Sequence, residues 1–229
     1  MSERAKDRPV VALDGPAGAG KSTVARAVAK ALGFLYVDTG ALYRGVALAA
    51  KEKGVSWEDG EALGALTRAL DLDFEATDEG PRLLIDGIDR APDIRTPDVA
   101  DGASKVSQHE PVRAALLDVQ RQLGAAGAVV FEGRDIGTVV FPDAEVKLFL
   151  TATPEARARR RVGDLMERGK DADYGSILEA IRERDARDSS RAVAPLKPAA
   201  DATTLDTTDL GFDEVVEAVV AAVREAMAR

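Results

Sequence analysis

The feature that most constrains this chain is a short stretch near its start, Gly15-Pro16-Ala17-Gly18-Ala19-Gly20-Lys21-Ser22. It reads G-x-x-x-x-G-K-[ST] without a mismatch. The apolar run Val10–Leu13 precedes it, and a helical pattern from Lys21 to Leu32 follows. Strand, glycine-rich loop and helix in that order make a phosphate cradle. The glycines let the backbone wrap around an anion with its N–H groups pointing inward, and the helix start adds its positive dipole end. Lys21 then reaches the β- and γ-phosphates of a nucleotide, and the Ser22 hydroxyl suits Mg2+. The expected ATP-binding set is Gly15, Pro16, Ala17, Gly18, Ala19, Gly20, Lys21, Ser22 and Thr23. Asp14, at the strand end beside the loop, reads as a structural carboxylate that bonds loop amides.

The rest of the chain extends this start into an α/β pattern. Strands are expected at Phe34–Val37, Ala128–Phe131, Val146–Leu150 and Thr204–Asp206. Helices are expected at Ala41–Lys53, Glu58–Leu70, about 97–107, about 111–124, from Thr153, at Tyr174–Ser190 and at Phe212–Met227. Strands alternating with helices imply a parallel sheet covered on both faces. One segment breaks the period. Leu72–Glu75 alternates, Asp78–Pro81 is a turn, Leu83–Ile85 is a strand and Ile88–Ile94 reads as a third, so a small antiparallel insert is expected at about 66–107.

Composition narrows the classes of function. A net charge of −9 argues against a binder of nucleic-acid polymers or membrane surfaces. The chain has no cysteine and one histidine, His109, which excludes thiolate or histidine-cluster metal sites. The polar N-terminus and the lack of a long apolar run point to a cytoplasmic protein, expected to be a monomer. Trp57 reads as packing, and His109 as a surface residue before a helix.

A phosphate loop alone does not select a function. There is no N/T-K-x-D guanine clamp and no LSGGQ-like signature, which sets aside GTPases and transporter ATPases. Three further segments point to a second phosphate-bearing ligand. They are Asp38-Thr39-Gly40-Ala41-Leu42-Tyr43-Arg44, the run Glu132-Gly133-Arg134-Asp135-Ile136-Gly137-Thr138-Val139-Val140-Phe141-Pro142, and Arg184–Leu196, which contains Arg184-Asp185, Asp188, Arg191 and Ala194-Pro195-Leu196. Arg44 lies near a helix start, where a guanidinium forks onto phosphate. Arg134 and Asp135 follow a buried strand, at the end where such sheets hold ligands. Arg157, Arg160 and Arg161 fall on one helical face, as do Arg184, Asp188 and Arg191.

In order and spacing these segments closely resemble bacterial cytidylate kinases, from about Val10 to Asp206. The resemblance implies a P-loop NTPase core with a five-stranded parallel sheet, a small antiparallel NMP-binding insert at about 66–107 and a helical lid at about 157–175. The core would then be about 9–65 and 108–229. It implies transfer of the γ-phosphoryl group of ATP, with Mg2+, to CMP or dCMP. It places Thr39, Arg44, Ser104, Arg113, Arg134, Asp135, Arg184, Asp188 and Arg191 at the acceptor. Lys21, Arg134, Arg157, Arg160 and Arg161 would act on the moving phosphoryl group. No separate strand ends in a clear metal-binding aspartate, and Glu132 is the nearest candidate. A kinase for another small acceptor such as UMP, and a nucleotide-binding regulator without transfer activity, are the alternatives.

Overall fold

In the computed structural model, which describes residues 8–75 and 82–228, the first strand, β1 (Val10–Asp14), is buried along its whole length. It is the centre of a five-stranded sheet. β6 (Val129–Glu132) and β7 (Val146–Thr151) flank it, β2 (Leu35–Asp38) lies outside β6, and β8 (Thr203–Asp206) lies outside β7. Every neighbouring pair is parallel. The near-continuous apolar character of β1 and β6 is what a strand covered on both faces requires.

One face is covered by α1 (Lys21–Leu32) and α8 (Phe212–Ala228), whose Val24, Val28, Val215 and Val219 pack against Val11 and Leu13 of β1. On the other face Val10 and Ala12 meet Phe131, Ile136 and Phe141, backed by Leu117 and Leu123 of α5 (Glu110–Gly124). Each fully buried side chain of this size stabilises the fold by about 1.5–3 kcal/mol.

The segment between these layers folds largely as its pattern implies. α2 (Thr39–Glu52) starts at Asp38, whose side chain accepts from the Ala41 amide. α3 (Gly60–Ala69) is capped in the same way by Asp59. β3 (Leu72–Glu75), β4 (Arg82–Ile85) and β5 (Ile88–Asp89) form a separate antiparallel sheet, followed by α4 (Pro97–Val106). The expected turn at Asp78–Pro81 and the segment before Arg8 lie outside the described residues. The expected strand at Ile88–Ile94 is only two residues long. The Asp89 carboxylate accepts from the Ala91 amide, Pro92 has no N–H to continue a ladder, and the chain tightens into a 3-10 turn at Asp93–Arg95. α6 (Pro154–Glu167) and α7 (Tyr174–Ser189) start at Thr153 and Asp173, each accepting the backbone N–H three residues on. Among the described residues no helix is long and apolar enough to cross a membrane.

The topology aims the carboxyl ends of β1, β2 and β6 at one edge of the sheet. In open parallel sheets ligands bind at that edge.

Candidate active site

The loop after β1 depends on its glycines. Gly15 has φ +143°, and a Cβ there would lie 1.9 Å from the Leu150 carbonyl oxygen, so no side chain fits. Gly20, with φ +86°, turns the chain into α1. The Lys21 side chain is buried and folds back, with Nζ donating to the Pro16 carbonyl at 2.8 Å. Burial, followed by the nearby Arg134 charge, pulls its pKa down to about 7. The Ser22 hydroxyl donates to Glu132 Oε1 at 2.7 Å, and the Tyr36 hydroxyl to Glu132 Oε2 at 3.1 Å. Burial, followed by the charge on Asp38, raises the pKa of Glu132.

Asp14 does bond loop amides, but not those of the phosphate loop. Its two carboxylate oxygens accept from Ile136 N at 2.9 Å and Gly137 N at 2.8 Å. Burial lifts its pKa to about 6 against the opposing pull of these two bonds.

A second cluster stands beside the loop. Thr39 Oγ1 donates to the Glu132 carbonyl at 2.8 Å. Arg44 pairs with Asp38 at 2.5 Å. Asp188, 1% exposed, bridges Arg134 at 3.2 Å and Arg191 at 2.5 Å, and Arg191 also reaches Ser107 Oγ at 3.0 Å. Arg113 and Asp135 form a buried ion pair, and the Arg113 guanidinium lies 5.6 Å from the centre of the Tyr43 ring. Ser104 Oγ and Arg184 Nε are buried without a hydrogen-bond partner. Burial, followed by the charge of Arg134, lowers the Arg184 pKa to about 10.

The three arginines of α6 have different partners. Arg157 is buried, and its guanidinium donates to Ala152 O at 2.9 Å, to Ala17 O of the phosphate loop at 2.9 Å, and to Asp185 at 2.5 Å. Arg160 donates to Thr207 through its hydroxyl and its carbonyl. Arg161 is exposed.

A cavity of about 880 Å³ joins these groups. Every residue expected at a site lines it except Gly15 and Pro16. Sequence reasoning gave no role to Tyr36, Asp38, Tyr43, Ser107 or Asp185. Asp38, Tyr43 and Asp185 stood inside the quoted motifs, and Asp38 at a strand end before a helix was legible as a cap. Ser107 carried no signal. His109 is half-buried, with its Nε2 2.9 Å from the Trp57 carbonyl, so it stitches α5 to the segment before α3 instead of lying free on the surface.

A phosphate loop on a parallel sheet, opening into one cavity with an arginine-rich second pocket, defines the class: a P-loop phosphotransferase. The family model described as cytidylate kinase matches residues 11–225. The chain is 50% identical over 214 residues to the cytidylate kinase of Pseudomonas paraeruginosa, covering 93% of each chain. It is 48% identical over 215 residues to that of Shouchella clausii, covering 94% of this chain and 96% of that one. The chain belongs to the cytidylate kinase family. Among solved structures, an uncharacterized protein from Eubacterium ventriosum aligns with a TM-score of 0.52 and 10% identity, over 95% of this chain and 99% of that one, a likeness of fold alone.

Proposed function

We propose that the protein transfers the γ-phosphoryl group of ATP to CMP or dCMP, giving ADP and CDP or dCDP. The observation that carries this reading is the match to the cytidylate kinase family along residues 11–225. The shared cavity supports it, because direct transfer needs donor and acceptor in one space.

In this reading an oxygen of the CMP phosphate attacks the γ-phosphorus in line, and the bond to the bridging oxygen of ADP breaks. The attacking oxygen is already anionic, so no general base is required. Catalysis of this kind is positioning and charge neutralisation. Lys21 moves from the Pro16 carbonyl onto the phosphates, and Arg134, Arg160 and Arg161 face the charge in transit. Arg157, whose donors hold Ala17 and Asp185 here, reaches phosphate only if that arrangement opens. Arg44, Arg184 and Arg191 receive the acceptor phosphate and sugar with Thr39 and Asp188, while Ser104, Arg113 and Asp135 face the base.

The residues present fit Mg2+. Ser22 Oγ and a Glu132 oxygen stand 2.7 Å apart beside the loop, and oxygen donors are what this hard cation takes. Ser22 would hold it directly and Glu132 alongside or through water. When bound, Mg2+ neutralises phosphate charge. Residues of about 66–107 act as the acceptor-side insert and about 157–175 as the lid, and their closure excludes water that would hydrolyse ATP. The reading extends to a single-chain enzyme acting in the cytoplasm.

A coupled ADP-release assay with CMP, dCMP, UMP, dTMP and AMP tests the proposal. CMP and dCMP are expected to exceed UMP in kcat/KM by at least roughly a hundredfold, since mispaired buried polar groups reject the wrong base. Equal turnover of UMP and CMP, or none with any monophosphate, would overturn it.

A further inference from the structure

Asp14 sits at a junction that the reaction as described does not use. It is the last residue of β1, directly before Gly15, and is 4% exposed. Both of its carboxylate oxygens are taken by consecutive amides of the neighbouring strand's loop, Ile136 N at 2.9 Å and Gly137 N at 2.8 Å. These amides open a wide helical turn over Ile136–Val140, in which Val140 N returns to the Asp135 carbonyl at 3.3 Å and Phe141 N to the Ile136 carbonyl at 2.7 Å.

Amides at the start of such a turn have no partner within it. The usual partner is the side chain of the residue just before the turn. Here that residue is Asp135, and its side chain makes no cap bond. It turns instead to Arg113 in the cavity wall. Asp14 supplies the cap from the adjacent strand, across a pairing in which Leu13 stands opposite Glu132 and Gly133 N donates to Leu13 O at 3.1 Å.

We infer that Asp14 is a positioning residue: by capping the turn at Ile136 it releases Asp135 to face Arg113 and the acceptor, and it ties the acceptor loop to the strand that carries the phosphate loop. The functional half of this inference rests on the reading of Arg134 and Asp135 as acceptor contacts. Without Asp14, the Asp135 carboxylate is the nearest acceptor for its own turn and swings away from Arg113.

The test compares wild type with Asp14→Asn and Asp14→Ala. Asparagine keeps one acceptor and sets an N–H donor against the other amide, and alanine keeps neither. KM for CMP is expected to rise about tenfold in Asp14→Asn and further in Asp14→Ala, as the loss of buried hydrogen bonds implies. KM for ATP should stay within about threefold, although Asp14 adjoins the phosphate loop in sequence. A rise in the ATP constant as large as that for CMP would show that Asp14 merely supports the phosphate loop, and no change in either would remove its role. Should the variants fail to fold, hydrogen exchange on the wild type decides: Ile136 and Gly137 amides should be protected like those of β1, and exchange as fast as exposed loops overturns the inference. A wild type inactive on CMP marks failure of the functional reading itself, and it is seen before any variant is compared.

Discussion

Replacing Lys21 with alanine is expected to lower kcat about 10²- to 10³-fold, the usual cost of losing one preorganised donor to transition-state charge. CMP affinity should stay within about threefold. The reason lies in where the ammonium rests. It is held inside the phosphate loop by the Pro16 carbonyl at 2.8 Å, and its burial and the Arg134 charge make the protonated form costly. In the proposed reaction an anion entering the loop, the γ-phosphate, draws the ammonium out of this place. The proposed acceptor cluster has its own cations, Arg44, Arg134, Arg184 and Arg191, so CMP binding is not expected to depend on Lys21. Calorimetric titration of the variant with CMP checks this. A collapse of CMP affinity would place Lys21 on the acceptor side.

The second large effect is expected at Asp135. Its carboxylate and the Arg113 guanidinium are 7% and 8% exposed and paired with each other. Asp135→Ala leaves Arg113 buried without its partner, which costs about 3–5 kcal/mol of stability. For a chain of this size that lowers Tm by roughly 6–20 °C. The effect on specificity is separate. Cytosine offers an N4 amino donor beside an N3 acceptor, and uracil offers the reverse. An ionised aspartate can only accept and an arginine can only donate, so in the proposed site the pair would match cytosine and be mispaired with uracil on both groups. The variant is expected to lose about a hundredfold in kcat/KM for CMP while the ratio of CMP to UMP narrows. Asp135→Asn, whose amide can donate to uracil O4, should keep more of the stability and narrow the ratio as well. Equal losses on both substrates would make Asp135 a scaffold residue and place base recognition elsewhere.

The phosphate loop was legible in the sequence because its determinants are local: the glycines, the lysine and the flanking strand and helix lie within a few residues of one another. The parallel sheet was legible too, since strands such as Val10–Leu13 and Ala128–Phe131 are apolar throughout. What could not be read is who pairs with whom over long separations. Asp14 was expected to bond loop amides, yet its partners are Ile136 and Gly137, on the adjacent strand's loop. The run Ile136-Gly137-Thr138-Val139-Val140 has the composition of a strand, but a cap brought from β1 bends it into a wide turn. Arg157 and Asp185 gave no hint of pairing, because packing α6 against α7 brings them together. The shortness of β5 turns on Pro92 and on the Asp89 carboxylate accepting from the Ala91 amide, local features that end the ladder after Asp89.

Transfer of the γ-phosphoryl group from ATP to CMP is followed by incubating the protein with CMP and ATP labelled on its γ-phosphorus. The label should appear in the β-phosphate of CDP at the rate at which ADP forms. Label released as inorganic phosphate at that rate, or left in ATP when CMP is present, would contradict it.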